Sequence, residues 1–132
     1  MITERQGKSK IIVTVCYMLV ILATSIMPME QNLGQFQIII DLKPHIQNLL
    51  HIPIFAFLAV LFLQVAKDCR LVGKKSIIIV LLFCIGFGVL NEVIQIVIPG
   101  RYASILDVIF NFIGAVIGIF LFKLVRQAPQ IL

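Results

Sequence analysis

The sequence predicts an all-α integral membrane protein with four transmembrane helices, an antiparallel hairpin between the third and fourth, and both termini in the cytoplasm. Three observations predict it. The 132 residues are 61% hydrophobic and 13% charged, with a mean hydropathy of +1.10, whereas a water-soluble domain of this length needs a larger polar share to cover its surface. Four apolar stretches approach the roughly 20 residues that cross a hydrocarbon core. The lysines and arginines are distributed unevenly among the segments that join those stretches. Residues 1–132 leave room for a single domain, with no internal repeat and no low-complexity linker.

The first stretch, 11–27, carries no charge. A basic start ahead of an apolar run also fits a secretory signal peptide, but this run is long for one and no A-x-A site follows it, so a retained helix is expected. The second stretch, 49–66, is opened by His51 and Pro53; the third, 76–98, contains Glu92; the fourth, 105–122, contains Asp107. The second and fourth are short, which calls for some tilt or local thinning of the bilayer. None of the four shows the period-two alternation of a membrane β-barrel strand. The longest connection, from Pro28 to Asn48, mixes Phe36, Ile38, Ile39, Ile40 and Leu42 with polar residues. It reads as a segment lying in the head-group region, the other reading being a lid over an outer-facing site. Pro99 to Ser104 is all that joins the third and fourth stretches, and Pro99-Gly100 marks a tight turn, which makes the two helices antiparallel neighbours.

Orientation follows from the basic residues. Arg5, Lys8 and Lys10 precede the first helix; Lys67, Arg70, Lys74 and Lys75 lie between the second and third; Lys123 and Arg126 follow the fourth. A four-helix threading puts these nine on one side, and only Lys43 and Arg101 on the other. The positive-inside rule assigns the nine to the cytoplasm of a multi-pass membrane protein. The net charge of +5 therefore reports topology, and no aromatic-interleaved basic patch points to nucleic acid. Cys16, Cys69 and Cys84 have no metal-ligand spacing, and no pair of them faces an oxidising compartment.

The polar residues inside the apolar stretches carry the functional signal. Gly88, Glu92 and Gln95 share one face of the third helix, and Asp107, Asn111, Gly114 and Gly118 share one face of the fourth. Gly114-x-x-x-Gly118 is a small-xxx-small pattern that lets helix backbones approach. Turning the two stripes toward each other gathers Glu92, Gln95, Asp107 and Asn111, with Arg101 in the turn above and His51 at the same outer level. An ionised carboxylate costs roughly 2.5–3.5 kcal/mol at a helix centre, and less near its end, so such residues persist when they pair, line a wet cavity or do chemistry. The packing alternative is a salt bridge between Arg101 and Asp107, with Glu92 bonded to Asn111 or His51. The chemical reading makes Glu92, Asp107 and His51 candidate catalytic acid–base residues. Arg101, whose planar fork suits phosphate or carboxylate, is then the candidate ligand-binding residue, together with Gln95 and Asn111. Oxygens of Glu92, Asp107, Asn111 and Gln95 suit Mg²⁺ or Ca²⁺, but no spacing is diagnostic, so no metal ligand and no cofactor is assigned. Ser104 fits a helix cap, in a Ser-x-x-Asp box ending at Asp107.

At these residues the sequence resembles the VanZ-like family of bacterial membrane proteins. The resemblance rests on Gly88-Val-Leu-Asn-Glu92-Val-Ile-Gln95, then Pro99-Gly-Arg101, Ser104, Asp107, Asn111, Gly114 and Gly118, with His51 and Phe55 as a second match. Members often carry Asp-Lys ahead of that histidine, where this chain has Gln47 and Asn48. The resemblance covers roughly Leu49 to Phe122. It implies a membrane protein of the cell envelope, and the family takes its name from a protein associated with resistance to the glycopeptide teicoplanin. The expected partners are the lipid bilayer and an anionic, lipid-linked envelope component held at the outer leaflet. The alternative is a non-catalytic structural or partner protein whose polar hairpin serves helix packing. A small exporter fits least, because the first helix has no carboxylate. So small a unit is compatible with a homo-oligomer, though no residue specifies a symmetry.

Overall fold

The computed structural model describes residues 2–26, 48–71, 73–99, 101 and 103–127, with side chains from residue 7 onward. The long connection after the first stretch, with its head-group and lid readings, lies outside the described residues except for Asn48. Four helices follow in order: α1 Ile2–Ser25, α2 His51–Asp68, α3 Lys74–Ile96 and α4 Ile105–Gln127. All four are long and apolar enough to cross a membrane, and there is no strand among the described residues. At 1.5 Å per residue the 18 residues of α2 reach about 27 Å and the 23 of α4 about 35 Å. The helix α4 thus runs past the apolar stretch that ends at Phe122, into the polar residues Lys123 and Arg126.

Local chemistry explains the helix ends. Pro53 sits in the first turn of α2, where a missing N–H breaks no intrahelical bond. The helix α2 stops in a Schellman arrangement: Leu71 N–H donates to Ala66 C=O and Arg70 N–H to Lys67 C=O, with Arg70 at φ 59° in the position that usually takes glycine. Gly73, at φ 72°, then turns the chain into α3, where Ser76 Oγ donates to its carbonyl. The helix α3 ends two residues short of Ile98, the residue before Pro99, where sterics disfavour the α conformation.

The core is built around α2. Phe55, Leu58 and Ala59 are fully buried against Cys84 of α3 and Ala115 of α4. Phe55 meets Phe87, and Phe62 meets Phe83, along the α2–α3 face. At α1, Tyr17 donates to the Ile54 carbonyl at 3.1 Å, and Lys10 forms an ion pair with Asp68 at 2.8 Å. The buried hydroxyls of Thr14 and Ser25 donate to carbonyls one turn back in their own helix. Outward-facing residues are apolar, with Ile12, Leu82, Ile96 and Phe120 all more than half exposed, the surface a bilayer covers.

The most extensive helix contact is α2 with α4. Its seam is the glycine pair: a Cβ added to Gly114 would stand 2.3 Å from the Ile52 carbonyl oxygen, and one added to Gly118 would stand 2.1 Å from that of Ala56. The sequence pattern turned these glycines toward α3. They pack on α2 instead, against the backbone of Ile52 and Ala56. Only Gly88 of α3 makes room for an α4 residue, lying against the Asn111 side chain.

Candidate functional site

One end of this bundle gathers five of its buried polar side chains. Asn91, Glu92 and Gln95 come from α3, Asp107 and Asn111 from α4, and all five are at most 6% exposed. His51, half-buried, opens α2 beside them. Its ring stacks over Phe55, one turn on, at 6.4 Å between centroids. The opposite end carries the Lys10–Asp68 pair and the basic 70–75 segment.

The contacts differ in detail from the expected pairs. His51 Nδ1 lies 2.8 Å from Asn111 Oδ1, so the histidine bonds the asparagine and Glu92 does not. Glu92 Oε2 accepts from the backbone N–H of Ser104 at 3.0 Å. Ser104 does cap α4, its Oγ accepting from the Leu106 N–H at 3.2 Å. In a complete capping box Asp107 would take the Ser104 N–H. Here Glu92 takes it from the preceding helix, and Asp107 turns into the bundle.

One ligand atom from each of His51, Glu92 and Asp107 lies within 4.8 Å of the other two. Glu92 Oε1, Asp107 Oδ1 and Asn111 Nδ2 are buried and have no hydrogen-bond partner among the described residues. A polar atom in that condition normally costs about 1–3 kcal/mol, and a cluster of them is a candidate functional site. Arg101 sits in the turn between α3 and α4 and is half-buried. It donates to the Thr24 carbonyl at 2.8 Å and so ties the turn to the end of α1. Burial lowers the pKa of its guanidinium while Glu92 and Asp107 pull it back up, and it stays a cation.

The structure therefore brings His51, Glu92, Asp107 and Asn111 into one cluster. Gln95 is buried on the same face of α3, one turn closer to the connecting turn. Asn91 is the residue the sequence reading missed. It is fully buried, and neither end of its amide has a partner among the described residues. Its signal was available: it lies three residues after Gly88 and four before Gln95, on the same face.

No curated protein and no solved structure matches the chain in sequence or fold searches. The family model described as VanZ/LLP1 does match, over residues 3–126, nearly the whole chain. With that match and its four membrane-length helices, the chain is a multi-pass membrane protein that belongs to the VanZ/LLP1 family.

Proposed function

We propose that this protein binds the anionic head group of a lipid-linked component of the bacterial cell envelope, at the outer leaflet, in the cluster of His51, Glu92, Asp107 and Asn111 beside Arg101. One observation carries the reading: three titratable side chains on three helices converge within 4.8 Å at the bundle end away from the basic 70–75 segment. The positive-inside bias puts that basic end, and both termini, in the cytoplasm. The α3–α4 pairings of Gly88 with Asn111 and of Glu92 with Ser104 support an antiparallel hairpin, and the same charge bias turns its connecting segment outward. In this arrangement Arg101 supplies positive charge for a phosphate or carboxylate, Gln95 and Asn111 add polar contacts, and Glu92, Asp107 and His51 orient the group or exchange protons with it. A link to glycopeptide resistance would follow from sequestering or altering an envelope precursor.

Native mass spectrometry of the protein in mild detergent tests this directly. An envelope lipid should co-purify with the wild type and be lost in Arg101→Ala. Retention or accumulation of that lipid in Glu92→Gln would point to turnover. Absence of any specific lipid from the wild type would sink the reading.

A second reading has its own support. Arg101 on the Thr24 carbonyl, Glu92 on the Ser104 amide and His51 on Asn111 each tie one helix to another. A protein using its polar hairpin only for packing would lose stability in these variants and carry no lipid in any form.

A further inference from the structure

We propose that His51, Glu92 and Asp107 form a binding site for one divalent transition-metal ion, Zn²⁺ or Mn²⁺. The proposal concerns the same cluster as the lipid reading and shares its residues, but metal and lipid are measured separately.

Geometry is the first support. Three ligand atoms at about 2.0–2.2 Å from one tetrahedral ion lie about 3.3–3.6 Å from one another. The three here lie within 4.8 Å of one another, so closing on an ion needs side-chain movements of no more than about 1 Å. They come from three different helices, which fixes the triangle by helix packing and not by one flexible loop.

The second support is independent of distance. Glu92 is 5% exposed and Asp107 6% exposed, and each keeps one carboxylate oxygen without a hydrogen-bond partner among the described residues. Two adjacent buried carboxylates repel each other, and burial limits their contact with solvent. A divalent ion neutralises both charges and occupies both unpartnered oxygens.

Neighbouring groups orient the ligands. Asn111 Oδ1 can only accept, so His51 Nδ1 carries the proton and Nε2 keeps the lone pair that a metal takes. Ser104 N–H holds Glu92 Oε2 and leaves Oε1 for the ion. Phe55 stacks under the imidazole. These are the outer contacts that hold a metal-binding histidine and carboxylate in place.

The donor set selects the ion. All-oxygen sites suit Mg²⁺ and Ca²⁺, whereas one imidazole with two carboxylates favours Zn²⁺ or Mn²⁺. Three protein ligands leave a coordination position open, facing the same end as Arg101. A phosphate or carboxylate arriving there would meet the ion and the guanidinium together.

The test uses the whole protein in mild detergent. Elemental analysis after chelation and gel filtration, followed by titration with Zn²⁺ and separately with Mn²⁺, should give one tight equivalent per chain. His51→Ala and Asp107→Asn should each weaken it at least tenfold, while Asp68→Asn, at the opposite end of the bundle, should leave it unchanged. X-ray absorption on the Zn²⁺-loaded wild type, or electron spin echo on the Mn²⁺ form, should show one imidazole nitrogen and needs no variant to fold. Failure to take up an equivalent of either ion overturns the proposal, as does tight binding with only oxygen ligands. Native mass spectra with and without chelator separate the two readings. Lipid on a chain that takes up no ion overturns the metal site and leaves the lipid reading standing. An ion bound through His51 on a lipid-free chain supports the metal site and removes the lipid one.

Discussion

His51 and Asn111 show how much rests on one contact in this bundle. Removing the amide with Asn111→Ala leaves a half-buried imidazole N–H without its acceptor, a loss of about 1 kcal/mol. A double-mutant cycle of His51→Ala and Asn111→Ala, read from unfolding in detergent, should give a coupling of about 1 kcal/mol or more, and additivity would show the pair idle. The candidate residues were legible in the sequence because polar side chains inside apolar stretches are so few. Their partners were not. Glu92 was expected to find a side chain, yet its partner is the backbone N–H of Ser104, and a backbone donor leaves no mark in a pattern of residue types. Asn91 escaped because the i, i+4, i+7 spacing of Gly88, Glu92 and Gln95 passes over it, although i+3 from Gly88 lies on the same face.

Helical periodicity says which residues share a face, but not which neighbour that face meets. Gly114 and Gly118 were legible as a close-packing stripe, yet only the structure assigns it to α2. Gly118→Ala should destabilise the protein by about 1–3 kcal/mol, because its new methyl runs into the Ala56 backbone, which cannot give way as a side chain can. Gly86→Ala faces open space within α3 and should stabilise by about 0.5–1 kcal/mol, as a helix-interior glycine usually does when replaced. Thermal unfolding in detergent reads both, and equal shifts would mean that the α2–α4 seam is looser than described. Helix ends were also beyond the sequence reading. Apolar runs mark where lipid lies, whereas α1 and α4 continue into polar residues whose backbone hydrogen bonds carry on regardless.

At the scale of the whole molecule, four membrane-length helices were legible from hydropathy alone, since every backbone group inside a bilayer must be satisfied within its own segment. The order of packing was not, because lipid-facing and helix-facing residues are equally apolar. The proposed orientation can be read from a native thiol. Cys69 is exposed beside the basic segment after α2, so in a Cys16→Ser, Cys84→Ser background an impermeant maleimide should label inverted vesicles and spare intact cells. Labelling of intact cells would reverse the topology and place the polar cluster at the cytoplasmic leaflet. The α2–α4 seam has a further consequence for how the chain is made. Its partners are separated by all of α3, so during synthesis α2 enters the bilayer well before the helix that covers it. Until α4 arrives, His51 has no Asn111 and Glu92 has no Ser104 amide. A ribosome stalled after α3 would therefore leave a half-product with bare polar groups in hydrocarbon, the kind of lesion that membrane proteases and insertases survey, and the last helix would act as the release from that surveillance.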